Sequence, residues 1–406
     1  MDQFESAHIR FARNQLKNIN NFTSITADFS KENVAAIQRF QQTHPKFSKT
    51  PLRSLKHLAN YLRVNNIFVK DESYRFGLNA FKVLGGIYAI GKYLAKKLGK
   101  DIATLSFADL RSAEVKRKIG NITFITATDG NHGRGVAWAA RELGQAAVVY
   151  MPKGASLARI QAIENEGAEV EVIDGNYDTA VKMAAETANK NGWVVLQDTS
   201  WEDYEEIPYW VMQGYSSLGS EIVEQLPEKP THIFLQVGVG SYAAGIAAFM
   251  TNFYIENRPK IILVEPDGAN CFYKSFFVAK EDYEIVEGDL QTIMAGLSCG
   301  EPNPKAWEIL KATAEGGISA NDRLAALGMR VLGHPLKDDA RIISGESGAA
   351  TMGVVYNLLT DQANESLRNY LSLDESASIL LINTEGDTDA KHYRQVVWEG
   401  ANPLNE

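Results

Sequence analysis

The chain has 406 residues, 45% of them hydrophobic and 22% charged, enough for two or three domains, or one large one with an insertion, and for a core that needs no disulfide staples. A formal net charge of −9 lacks the basic face that nucleic acid requires, so no such partner is expected. Cys271 and Cys299 have no CxxC spacing and no secretory apolar segment ahead of them, and no apolar run approaches the length of a membrane span, so a cytoplasmic protein is expected.

The first 45 residues read as helical and irregular packing against the main body. From about residue 60, short β-branched runs at 67–69, 124–126, 147–149, 170–172, 193–195, 233–235, 261–264 and 379–382 alternate with longer segments. Several of those, at 136–143, 155–165 and 177–191, have helical spacing. This alternation predicts βαβ units, hence an α/β fold with a parallel sheet covered by helices. Residues 100–120 are charged and show no strand, while 266–320, rich in Gly, Pro and acids, read as a lid or subunit contact.

The first chemically suggestive segment runs from Lys70 through Arg75-Phe76-Gly77-Leu78-Asn79 to Ala80-Phe81-Lys82, where a helix is predicted with Asn79 as its N-cap. Lys82 is flanked by Phe81, Val83 and Leu84, an apolar setting that lowers an amine's pKa and suits Schiff-base chemistry. Taken alone, the same pattern more readily describes a lysine whose stem packs on a helix and whose head reaches water. The loop Thr128-Asp129-Gly130-Asn131-His132-Gly133 follows a predicted strand and opens a helix, the geometry of an anion site. His132, in a tight turn, reads as bonded to backbone.

Farther along, a strand runs into Val237-Gly238-Val239-Gly240-Ser241 and an apolar helix, leaving backbone N–H groups and a serine hydroxyl for a phosphate. A dinucleotide site competes here, with Glu265 at the end of the next strand, although Gly238, Gly240 and Gly245 do not match GxGxxG. Asp198, in Gln197-Asp198-Thr199-Ser200-Trp201, follows another strand, where ligands gather in open α/β sheets. Ser344-Gly345-Glu346-Ser347-Gly348 leads into a helix, and Asn383-Thr384-Glu385-Gly386-Asp387 ends the last strand. No HExxH or Cys/His cluster occurs, so no catalytic metal is expected.

In this order, and over roughly residues 45–400, these motifs resemble the fold type II pyridoxal-phosphate enzymes, the group of threonine dehydratase and the tryptophan synthase β subunit. The resemblance implies a large and a small open twisted-sheet domain, at 1–87 with 219–406 and at 88–218, with pyridoxal 5'-phosphate in the cleft and a homodimeric assembly. It makes Lys82 the cofactor lysine and places Asn131 on the cofactor's phenolic oxygen. It likewise sets the phosphate among Gly238, Val239, Gly240 and Ser241, Glu346 beside the ring, and Thr384 on the pyridine nitrogen. The segment Thr128-Asp129-Gly130 is matched to the loop that holds the substrate carboxylate.

There Asp129 departs from the usual Ser or Ala, and a carboxylate at that point repels another unless a second ammonium on the substrate compensates. Asp129 is also suited to remove an α-proton from the face opposite Lys82. With Asn-Ala-Phe-Lys and Gln-Asp-Thr-Ser-Trp, this loop resembles the ammonia-lyases that act on 2,3-diaminopropionate. The implied reaction is elimination to pyruvate and two ammonia from either stereoisomer, with Asp198 as a further catalytic and substrate-binding acid. The alternatives are a threonine or serine dehydratase, a nicotinamide-dependent oxidoreductase using Gly238 and Glu265, and a non-enzymatic amino-acid-binding protein.

Overall fold

The computed structural model describes residues 3–17, 22–128 and 130–404, and its strands assort into two sheets. In chain order the strands are β1 (Gln3–Glu5), β2 (Ile9–Arg13), β3 (Leu52–Ser54), β4 (Asn66–Asp71), β5 (Thr123–Ala127) and β6 (Ala146–Pro152). They continue with β7 (Glu169–Ile173), β8 (Val194–Val195), β9 (His232–Gln236), β10 (Lys260–Pro266), β11 (Gly316–Ala320) and β12 (Ser378–Asn383). The larger sheet has the order β1-β2-β11-β10-β9-β12-β4-β3 and the smaller one β7-β6-β5-β8.

Five central strands of the larger sheet, β11, β10, β9, β12 and β4, run parallel, with antiparallel strands at both edges. β9 and β12 are buried at every position, which is why their sequences are near-continuous apolar runs rather than alternations. The smaller sheet is wholly parallel, its strands connected through helices Asn131–Glu142, Leu157–Glu164 and Tyr177–Asn191. The predicted α/β architecture is the one observed. Among the described residues, no helix is long and apolar enough to cross a membrane.

Two regions differ from the sequence expectation. The amino-terminal segment is not simply helical and irregular: β1 and β2 form a hairpin whose second strand pairs with β11, about 300 residues away, through contacts such as Phe11 with Ile318. β11 itself is Gly-Gly-Ile-Ser-Ala, poor in strand-forming residues. Its glycine is required by a close approach, because a Cβ on Gly316 would lie 2.3 Å from the Ala12 carbonyl oxygen. Residues 266–320 are likewise not all lid. They contribute β11 and helices Cys271–Val278 and Pro304–Thr313 to the body, while residues between those helices border the cavity described below.

The carboxyl ends of β5, β8, β9 and β12 open onto one cavity, as open α/β sheets require of their ligand sites. β4 joins them through the turn that delivers Lys82. A buried network fastens that turn to helix Glu206–Gln225: Lys70 Nζ and an Arg75 guanidinium nitrogen each lie 2.8 Å from Glu221 Oε2, and Arg75 Nε lies 2.8 Å from Glu72. Two cations and two carboxylates cancel, the condition under which charges tolerate complete burial.

Candidate active site

Lys82 stands at the start of helix Val83–Leu98. Asn79 does not cap that helix. Its φ is +59, its amide donates to Asp387 Oδ1 at 3.2 Å, and its carbonyl accepts the Gly386 N–H at 3.0 Å. The Phe81 N–H donates to the Thr384 carbonyl at 3.2 Å. The lysine turn is therefore stitched to the end of β12, a link between positions 300 residues apart that no local cap rule contains.

Lys82 Nζ lies 2.8 Å from Asp198 Oδ2. Asp198 is held by its neighbours: the Gln197 side chain clips onto β5, accepting the Ala127 N–H at 3.2 Å and donating to its carbonyl at 2.9 Å. Burial, the largest influence on Asp198, disfavours its carboxylate, but His132 and then Lys82 outweigh it and hold the acid well below its ordinary range. Asp198 is thus a fixed anion. His132 does bond backbone, through Nε2 and the Leu196 carbonyl at 3.0 Å, yet its Nδ1 also lies 3.7 Å from Asp198 Oδ2.

Residues Gly238 to Ser241 border the same cavity, of about 1300 Å³, just ahead of helix Ser241–Phe253, whose first N–H groups have no intrahelical acceptor. Gly240 has φ +98, and a Cβ there would meet the Phe272 ring at 2.6 Å. The Ser241 hydroxyl is not left for an anion: it donates to the Asp198 carbonyl at 2.6 Å, which makes the glycine loop and the lysine's partner contiguous. Glu265 is equally unavailable to a ribose, being fully buried with its carboxylate accepting the Phe272 and Tyr273 N–H groups at 2.9 and 2.7 Å. The competing dinucleotide site is excluded on that ground.

Lys82, Thr128, Asn131 and Asp198 border the cavity together with the loop from Gly238 through Val239 and Gly240 to Ser241, and with Thr384. Gly130 does not itself border it, and its N–H donates to Thr128 Oγ1 at 2.9 Å. Asp129 lies outside the described residues. Glu346, expected beside the cofactor ring, instead gives its buried carboxylate to His392. The acid that borders the cavity there is Glu385, whose Oε2 accepts the Asn131 amide across the cleft and whose Oε1 accepts the Ser347 N–H at 3.1 Å. Its only sequence signal is adjacency to Thr384. Cys271 and Cys299 stand as thiols, with Cys271 Sγ 3.8 Å from the Cys299 carbonyl oxygen.

Residues 44–370 match the family described as pyridoxal-phosphate dependent enzyme, and this span carries Lys82, the Asn131 loop and the glycine loop. The chain belongs to the pyridoxal-phosphate-dependent enzymes. Within that family it is 52% identical over 375 residues to diaminopropionate ammonia-lyase of Escherichia coli K12, covering 92% of this chain and 93% of that one. The crystal structure of the selenomethionine holo diaminopropionate ammonia lyase from Escherichia coli superposes with a TM-score of 0.92 at 48% identity, over 99% of this chain and 100% of that one. The structure of that enzyme in complex with D-serine gives a TM-score of 0.89 at 48% identity, over 97% and 98%.

Pyridoxal 5'-phosphate, the cofactor of this family, fits the residues present. One cavity joins a lysine amine, a glycine cradle that a single Cβ would fill, and a hydroxyl at the end of β12.

Proposed function

We propose that this enzyme converts 2,3-diaminopropionate, in both stereoisomers, to pyruvate and two ammonia with uptake of one water. The observation that carries the reading is the buried Asp198 carboxylate 2.8 Å from Lys82 at the cavity wall, a fixed negative charge suited to a substrate with a second ammonium group. The identity to diaminopropionate ammonia-lyase over most of both chains supports it.

Bound pyridoxal phosphate supplies an aldehyde that takes an amine and a ring that accepts the electron pair left at Cα. The chain supplies everything else. The N–H groups of Gly238, Val239, Gly240 and Ser241 hold the phosphate dianion at a helix N-terminus, where the backbone dipoles favour it. Lys82 is the amine that retains the cofactor at rest and the base that takes the α-proton of one stereoisomer. Asp129 takes the proton of the other from the opposite face. Asp198 pairs with the Lys82 ammonium and, once the lysine is neutral, receives the substrate's β-ammonium and orients it for departure. Asn131, anchored by Glu385, meets the phenolic oxygen, and Thr384 meets the pyridine nitrogen. Thr128 and Gly130 form the seat of the substrate carboxylate.

The same reading includes a homodimer in the cytoplasm and a small domain at 88–218, inserted between 1–87 and 219–406. The four-stranded sheet, all of whose strands fall between 123 and 195, supports that division.

The test is parallel turnover of D- and L-2,3-diaminopropionate, serine and threonine, read as pyruvate or ketobutyrate and ammonia, with wild type and Lys82→Ala. Both diaminopropionate isomers are expected to be the best substrates, and Lys82→Ala to lose turnover along with the borohydride-sensitive visible band. A preference for threonine or serine, or full activity in Lys82→Ala, overturns the proposal.

A further inference from the structure

Gln236, the last residue of β9, is 1% exposed and borders the cavity beside the glycine loop. Its side-chain nitrogen lies 2.9 Å from the Ile382 carbonyl oxygen and 3.1 Å from Thr384 Oγ1, with the Ser347 and Gly348 carbonyls farther off at 3.4 and 3.5 Å. Three of these four oxygens belong to carbonyls, which only accept, so the NH₂ end of the amide must face them. An NH₂ group has two hydrogens, and the two shortest contacts take both. Gln236 Oε1 is buried and makes no hydrogen bond with a described residue, so the amide is held by its donor side alone.

The consequence falls on Thr384. Its hydroxyl oxygen accepts from Gln236 through one of its two lone pairs, and its proton has no acceptor among the described residues, so that proton is left to donate. Thr384 is buried, borders the cavity, and has its carbonyl engaged by the Phe81 N–H. We infer that Gln236 is a positioning residue that makes Thr384 a hydrogen-bond donor toward the cavity, so that a ring nitrogen placed there meets that proton with its lone pair and is favoured unprotonated. This rests on the proposal that Thr384 meets the pyridine nitrogen. An accepting side chain at position 236 reverses the arrangement: Thr384 then donates inward, offers only lone pairs to the ring, and favours a protonated nitrogen. A strand residue that touches no substrate in this way sets how strongly the ring withdraws electrons. It suits elimination, in which a weak sink leaves the electron pair largely on Cα, where it expels the β-group rather than being drawn into the ring.

The experiment uses holoenzyme reconstituted with pyridoxal phosphate carrying ¹⁵N in the ring, read by ¹⁵N NMR. It compares wild type with Gln236→Met, Gln236→Glu, Thr384→Val and Thr384→Ser, each first checked for cofactor content and far-ultraviolet dichroism. The expected wild-type resonance is that of an unprotonated, hydrogen-bonded pyridine nitrogen, kept in Thr384→Ser. Gln236→Met and Thr384→Val should both move it to the position of a pyridine without a donor, and Gln236→Glu towards the pyridinium position once its carboxyl ionises. Should Gln236→Met fail to hold cofactor, Gln236→Leu, which likewise offers Thr384 no donor, takes its place. A wild-type resonance in Gln236→Met and Gln236→Glu while Thr384→Val shifts overturns the role of Gln236 but leaves Thr384 on the ring. No shift in any variant overturns the placement of Thr384 itself.

Discussion

Replacing Gly240 with alanine puts a methyl group where the loop proposed to cradle the phosphate has no room. The backbone there has φ +98, where a side chain costs about 1–2 kcal/mol. The new Cβ would lie 2.6 Å from the Phe272 ring and 2.9 Å from the Ala306 Cβ. Both neighbours are fully buried and cannot retreat, so overpacking adds about 1–3 kcal/mol. The total is about 2–5 kcal/mol. The apo loop can relax part of this strain, whereas a loop wrapped on a phosphate cannot, so the loss should appear mainly in cofactor binding. At about 1.4 kcal/mol per tenfold, affinity for pyridoxal phosphate weakens by up to about 30-fold to several thousandfold, the limit in which the apo loop sheds all of the strain. Fluorescence titration of apoenzyme with pyridoxal phosphate measures this, and melts of the apo and holo forms show how much strain remains without cofactor. Gly99→Ala is the control: φ is +67 there, but no atom lies within 4 Å of the added Cβ and the site is remote from the cavity. If Gly240→Ala binds cofactor as wild type does, the loop from Gly238 to Ser241 does not cradle the phosphate.

Asp198→Asn should lower kcat/KM for diaminopropionate by about 10- to 100-fold, the equivalent of one charge-assisted hydrogen bond, and lower it less for serine, which lacks the second ammonium. Equal losses on the two substrates would show that Asp198 serves only to hold Lys82. Asp129→Asn should reduce activity on one stereoisomer of diaminopropionate far more than on the other, and equal reductions refute the division of labour between Asp129 and Lys82. Burial pushes the Glu265 carboxyl from 4.5 up to about 8, so the folded state binds its proton more tightly than the unfolded chain. The stability linked to this group is therefore fully present below about pH 4.5 and is lost as pH rises through about 8, at up to about 1.4 kcal/mol per pH unit. Glu265→Gln, which cannot ionise, should gain on wild type between about pH 5 and pH 8 in urea melts, and a gap that stays constant with pH refutes the assignment.

What the amino-acid order determines by itself is whatever depends on near neighbours. The β-branched runs at 67–69, 233–235, 261–264 and 379–382 became central parallel strands because continuous apolar stretches bounded by polar turns have few other ways to be buried. The glycines at 238 and 240, set between a strand and a helix, marked an anion loop for the same local reason. Lys82 was conspicuous through its apolar flanks. Only the folded chain decided the rest, and the missing pieces are all long-range. β11 was hidden because Gly-Gly-Ile-Ser-Ala has little strand preference of its own and is held by β10 and by β2 from the far end of the chain. Asn79 looked like a cap until its partners proved to be Gly386 and Asp387. Glu346 and Glu385 are both glutamates within short polar segments, and which one reaches the cavity depends on His392 claiming the first and Asn131 the second. Gln236 lies within a buried strand, where side-chain chemistry has no periodic signature, and its direction was set by carbonyls and a hydroxyl more than 100 residues away. Local pattern fixes which elements form, but the partner of a buried polar group is chosen by whatever the topology brings within 3 Å or so, since leaving such a group unpaired costs about 1–3 kcal/mol.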